Sequence, residues 1–146
     1  MSRTAERPLY LDHHATTPVD PRVMEVMAPL FTDDFGNASS RTHAWGWRAE
    51  AVVDLAREEL AAAVGAADPR EIVFTSGATE SDNLALQGIV AAARGTAHVV
   101  TTAIEHPAVI DTCRALAARG AAVDVVPVDG DGLVDPEAVA KAIRDE

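Results

Sequence analysis

Apolar positions along the chain change period repeatedly, and each change marks an element. Val23, Val26, Met27 and Leu30 fall on one side of a stretch that opens with Pro21, which predicts a short helix from Pro21 to Phe31. After a loop over Thr32 to Thr42, the residues Trp45, Ala49, Val52, Ala56, Leu60 and Val64 recur at steps of three and four. Glu50, Asp54, Arg57 and Glu58 sit elsewhere on the same wheel, so a long helix from about Ala44 to Val64 is expected, with one buried stripe and one wet face. Gly65 is a natural stop, and Asp68-Pro69-Arg70-Glu71 turns the chain toward the next strand.

From Ile72 onward strand and helix patterns alternate. Strands are predicted at Ile72 to Thr75, His98 to Thr102 and Ala122 to Val128, and helices at about Thr79 to Arg94, Pro107 to Arg119 and Pro136 to Asp145. Tyr10-Leu11 reads as a strandlet before the first helix. Repeated strand-helix-strand order predicts an α/β fold with a largely parallel sheet flanked by helices. Ligands of such sheets gather beyond the carboxyl ends of the strands.

Two motifs lie at those ends. Phe74-Thr75-Ser76-Gly77-Ala78-Thr79-Glu80-Ser81-Asp82-Asn83 runs from an apolar strand into a helix start, where unpaired amides and the helix dipole suit a phosphate. Its plainer reading is a capped turn, with Ser76 or Thr79 satisfying free amides and Glu80 favouring the helix start. Glu105-His106-Pro107 follows the strand of His98 to Thr102 and brings an imidazole to the corresponding edge. His106 by itself reads equally as a helix-start histidine donating to a nearby carbonyl.

Composition narrows the classes. The chain has 146 residues, enough for about one domain with a core, and 48% of them are hydrophobic. Twenty-three acidic against twelve basic residues give a formal charge of −11, which argues against a nucleic-acid partner. An anionic ligand would have to be caught locally. One cysteine, no apolar run at Met1 to Pro8 and no run long enough for a bilayer lead to the expectation of a cytoplasmic protein away from membranes. His13, His14 and His43 lack companion ligands at metal spacing, so no metal is expected. Cys113 shares a helix side with Val109, Ile110, Leu116 and Ala117 and reads as structural.

Taken with Tyr10-Leu11-Asp12-His13-His14-Ala15-Thr16-Thr17-Pro18-Val19-Asp20, Phe35-Gly36-Asn37-Ala38-Ser39-Ser40-Arg41-Thr42-His43 and Glu105-His106-Pro107-Ala108-Val109, these runs resemble the cysteine desulfurases. These are pyridoxal-phosphate (PLP) enzymes of the class V aminotransferase family. The resemblance covers nearly the whole chain. It implies a PLP-dependent transferase fold of the aspartate aminotransferase type (fold type I), here an incomplete large domain over residues 21–146, with residues 1–20 contributing to the small domain or active-site mouth. It implies that Ala78 and Thr79 bind the cofactor phosphate through their amides and the Thr79 hydroxyl. His106 would stack on the pyridine ring and assist proton movement, and Asn37 would lie near a substrate carboxylate, although Gly36-Asn37 is also ordinary turn chemistry.

The same resemblance implies conversion of L-cysteine to alanine, with the sulfur passed to an enzyme cysteine as a persulfide for iron–sulfur or thiocofactor synthesis. A sulfur acceptor or iron–sulfur scaffold and a homodimeric complete enzyme would follow. Ala38 departs from the family loop, which commonly reads glycine, asparagine, proline, serine, and the lysine departs as well. The family's Schiff-base lysine lies in a Ser-x-His-Lys run absent here, and the single lysine, Lys141, matches no family motif. The expectation is therefore an amino-terminal portion, inactive alone and lacking the sulfur-accepting cysteine. The alternatives are another class V enzyme, such as a selenocysteine lyase, an aminotransferase or a kynureninase-like hydrolase, or a non-enzymatic truncated or split-gene subunit.

Overall fold

The computed structural model describes residues 8–93 and 97–143. By internal contacts the chain divides into two compact units, Met1–Val73 and Phe74–Glu146.

The first unit is helical. Helix α1 spans Pro21–Thr32, with Asp20 capping the Arg22 amide at 2.8 Å and Pro21 in the first turn, where a missing N–H costs nothing. Helix α2 spans Ala44–Val64, the interval its periodicity predicts. Its start is capped by His43 Nδ1, which accepts the Gly46 N–H at 3.2 Å. Its end is closed by Gly65 at φ 73°, a left-handed position that disfavours other residues. A single 3₁₀ turn, Pro69–Glu71, packs against α2, and the Arg57 guanidinium donates to the Ile72 carbonyl. Phe35 stacks on Trp45 with ring centres 5.2 Å apart, which ties the preceding loop to the helix start.

Three expectations for this region are corrected. The α2 stripe is not a buried one: Val52, Leu60 and Val64 stand 42%, 44% and 70% exposed, while Gly46 and Ala61 are buried. Periodicity specifies a face but not what covers it. Tyr10-Leu11 forms no strand among the described residues, and the Tyr10 hydroxyl instead donates to the Asp12 carbonyl at 2.8 Å. Ile72 to Thr75 likewise forms no strand. Ile72 has extended backbone, but a strand needs a hydrogen-bonded neighbour, and the described sheet contains two strands only.

The second unit carries that sheet. Helix α3, Ala78–Ala92, leads to strand β1, His98–Thr102, then helix α4, Pro107–Ala118, strand β2, Ala122–Val126, and helix α5, Pro136–Ala142. Strands β1 and β2 run parallel, with His98 opposite Ala122 and Thr102 opposite Val126, so β1-α4-β2 is a crossover unit of the expected kind. β2 stops short of its predicted end because Pro127 has no N–H for the ladder, and Val128 pairs antiparallel with Val134 instead. The predicted helix ends at Arg94 and Asp145 lie outside the described residues.

α3 packs on α4, and both α4 and α5 pack on β2. Ala108, Thr112, Cys113 and Leu116 of α4 are buried, as are Thr101 of β1 and Val126 of β2. His98 Nε2 stands 2.9 Å from Asp124 Oδ2 across the two strands, which adds a polar tie at the start of the ladder.

Candidate functional site

The turn into α3 is built to leave donors open. Thr75 Oγ1 lies 2.6 Å from Ser81 Oγ, and both hydroxyls stand 3.2 Å from the Gly77 carbonyl, so the loop is pinned by its own side chains. Glu80 reaches back to accept the Ser76 N–H at 2.7 Å and the Ser76 hydroxyl at 2.5 Å. These bonds, the hydroxyl first, hold the Glu80 carboxyl below the usual carboxylate range. Gly77 occupies the cap position and supplies no side-chain cap. The plainer reading therefore fails in one respect: neither Ser76 nor Thr79 caps the first amides, and the Thr79 hydroxyl bonds to no described residue.

The imidazole is fixed differently. His106 is the cap of α4, its Nδ1 accepting the Ala108 N–H at 3.2 Å. It is thus an acceptor at the helix start, not a donor to a carbonyl, and the neutral ring carries its proton on Nε2. Pro107 at the first helical position needs no partner for its nitrogen. Glu105, next in sequence, accepts the Thr102 hydroxyl at 2.9 Å and so closes the end of β1.

Packing of α3 on α4 brings the two motifs together. Thr79 and His106 line one cleft of about 430 Å³, with Asn83, Pro107, Asp111 and Thr112 among its walls. Ala78, the other expected phosphate ligand, begins α3 one residue earlier and is not part of that wall. Asn37 lies in the first unit, where its Oδ1 accepts the Ser39 N–H at 2.9 Å, the ordinary turn role.

Asn83 and Thr112 went unassigned in the sequence. Asn83 Nδ2 donates to the Thr79 carbonyl at 2.9 Å, and Asn83 Oδ1 accepts from Gln87 Nε2 at 2.9 Å. The Thr112 hydroxyl stands 2.8 Å from that same Oδ1 and 2.7 Å from the Ala108 carbonyl. The spacing of Thr79, Asn83 and Gln87 at four-residue steps was the available signal, since it places three polar groups on one helix face.

The donor set suits a phosphate ester. The amides of Ala78 and Thr79 have no partner within the helix, the Thr79 hydroxyl is available, and the dipole of α3 places positive potential there. Among the described residues no Lys or Arg lines the cleft, and Asp111 is paired with Arg114 at 2.8 Å. An anion placed there would meet neutral donors rather than a cationic side chain.

Cys113 is 2% exposed, its thiol raised above the ordinary range by burial, then by the Glu105 carboxylate, with a Thr101 hydrogen bond acting in the opposite direction. That environment suits a packed side chain rather than a nucleophile. His43 caps α2, and His13 sits edge-on to Tyr10 at 5.0 Å. Among the described residues no group of three or more His, Cys, Asp or Glu side chains is arranged to hold a metal, and no helix is long and apolar enough to cross a membrane.

The family described as "Aminotransferase class-V" matches residues 9–146. A "Cysteine desulfurase, mitochondrial" of Drosophila melanogaster is 51% identical over 146 residues, covering 99% of this chain and 31% of the fly protein. "Cysteine desulfurase IscS" of Anaeromyxobacter sp. (strain Fw109-5) is 51% identical over 140 residues, covering 95% of this chain and 34% of that protein. Among solved structures, a "NIFS-LIKE PROTEIN" superposes with a TM-score of 0.81 at 39% identity, over 90% of this chain and 36% of the other. "SspA in complex with cysteine" also gives a TM-score of 0.81 at 39% identity, over 92% and 39%. The chain spans about a third of the length of the curated relatives it matches.

Proposed function

This chain belongs to the class V aminotransferase family, and on that premise we propose that it is the amino-terminal portion of a cysteine desulfurase, holding the phosphate of PLP and one proton-handling imidazole. Its fold is the PLP-dependent transferase fold of type I, as in its NifS-like structural neighbours. The proposed substrate is L-cysteine, and the proposed partners are a sulfur-accepting protein or an iron–sulfur scaffold. Supporting the substrate are the relatives named as cysteine desulfurases and the neighbour described in complex with cysteine.

The observation that carries the reading is the shared cleft of Thr79 and His106. Ala78 and Thr79 hold the phosphate through their amides, and the Thr79 hydroxyl adds a third donor. Held at the helix start, the anion is oriented as well as bound. When bound, the cofactor supplies an electron-withdrawing ring that stabilises negative charge developing on the substrate. His106 holds or moves a proton at Nε2, because the Ala108 N–H engages Nδ1. Asp111, another residue of the cleft wall, adds negative charge tempered by Arg114.

Lys141 lies in the last turn of α5 and is exposed, outside any Ser-x-His-Lys run. The 146-residue chain is accordingly proposed to be inactive alone. A chimera joining these residues to the remaining two thirds of a desulfurase relative is expected to release alanine from L-cysteine, whereas the chain alone should release none. A chimera that folds and binds PLP but leaves cysteine untouched would overturn the desulfurase reading. A borohydride-fixed PLP adduct at Lys141 of the isolated chain would overturn the claim that it lacks a covalent attachment site.

A further inference from the structure

Short polar contacts link the two ends of the cleft through Asn83 and Thr112, with the single Thr112 hydroxyl proton shared between two acceptors. They run from the Thr79 carbonyl to Asn83 Nδ2 at 2.9 Å, from Asn83 Oδ1 to the Thr112 hydroxyl at 2.8 Å, and from that hydroxyl to the Ala108 carbonyl at 2.7 Å. The Ala108 N–H then reaches His106 Nδ1 at 3.2 Å. Only the Asn83–Thr112 link crosses from α3 to α4 among these contacts, because the other three are local to one helix.

We propose that Asn83 and Thr112 are positioning residues that set the separation of Thr79 from His106 and hold the His106 ring in its Nε2–H form. The proposal rests on the functional reading above and deepens it. Three physical points support it. Thr112 is 4% exposed, so water competes poorly for its hydroxyl and the bond is stronger than a surface one. Its one proton serves Asn83 or Ala108, and both acceptors lie within hydrogen-bond range. Gln87 braces the same Asn83 oxygen at 2.9 Å, and Arg119 stands 3.4 Å from Gln87 Oε1, so the carboxamide is held from its far side. Neither Asn83 nor Thr112 needs to touch a reacting atom. A ligand contacting Thr79 at one end and His106 at the other would sense their spacing, while a ligand at one end alone would not.

The test uses the full chain with ¹⁵N-labelled histidine. Thr112→Val keeps the side-chain shape and removes the hydroxyl; Thr112→Ser restores it; Asn83→Ala removes the other partner. In Thr112→Val and Asn83→Ala the His106 nitrogen shifts are expected to move toward tautomer-averaged values. PLP affinity should fall about tenfold, inorganic phosphate affinity should change less than about twofold, and the double variant should be no worse than either single one. Thr112→Ser should behave as the unaltered chain. Should Thr112→Val lose its helical signal, Asn83→Ala at its half-buried position carries the same comparison. Unmoved His106 shifts, or additive losses in the double variant, would overturn the proposal. If the unaltered chain binds neither PLP nor phosphate, the cofactor reading falls, and the nitrogen shifts alone decide the positioning roles.

Discussion

The Glu80 carboxylate is bound to Ser76, taking its N–H at 2.7 Å and its hydroxyl at 2.5 Å, so the acidic residue in the first turn of α3 is engaged by the chain itself. The start of α3 keeps its open amides while its nearest carboxylate is satisfied. Because these bonds favour the ionised form, folding lowers the Glu80 pKa. The stability they contribute is then present above the unfolded value, about 4.3, and is lost as pH falls through the folded value below it. Ser76→Ala should return the Glu80 midpoint toward the usual carboxylate range in a carboxyl-carbon NMR titration. An unchanged low midpoint would mean that some other group holds the carboxylate.

His106 caps α4 and is proposed to handle a proton, two roles that substitution can separate. His106→Ala removes both the ring and the cap of α4, and the lost cap alone should cost about 1 kcal/mol in urea unfolding. Asparagine caps well, so His106→Asn should keep that stability. In the chimera with a relative's remaining segment, both variants should lose on the order of 10²-fold in turnover. Equal turnover in His106→Asn and the unaltered chimera would show that the imidazole moves no proton.

Thr79→Ala addresses the phosphate end. Losing one hydrogen bond to a charged group should weaken PLP retention by roughly tenfold or more. Equilibrium dialysis of the chimera measures this, and equal occupancy in both proteins would remove Thr79 from the phosphate site.

Cys113 should resist thiol reagents in the folded chain and react promptly in denaturant, since it is buried and its ionisation is raised by burial and by Glu105. Rapid labelling near pH 7 in the native state would contradict its packing role. Cys113→Ala should cost about 1–2 kcal/mol by opening a small void between α4 and the strands.

Two glycines should respond with opposite signs. A Cβ on Gly46 would lie 1.7 Å from the Ser40 carbonyl oxygen, so Gly46→Ala must displace backbone and should destabilise by about 1–3 kcal/mol or more. A Cβ on Gly88, inside α3, meets nothing within 4 Å, so Gly88→Ala should stabilise by about 0.5–1 kcal/mol through helix propensity. Thermal or urea melts of the two variants decide both.

Much of this molecule was set by local chemistry and is legible in the sequence. The bounds of α2, the stop at Gly65, the strand at His98–Thr102 and the start of α3 just after Gly77 all follow from side-chain period, caps and glycine placement, which act over a few residues. The resemblance carried by Gly77-Ala78-Thr79 and Glu105-His106-Pro107 likewise needed no coordinates. Tertiary structure decided the rest. It denied Ile72 to Thr75 a strand partner, left Val64 of the α2 stripe 70% exposed, made His106 an acceptor at its helix start, and joined Asn83 to Thr112 across α3 and α4. The reason is range: propensities and caps are settled within a turn or two, whereas burial, strand pairing and hydrogen bonds between helices exist only once residues distant in sequence are brought within a few ångströms of one another.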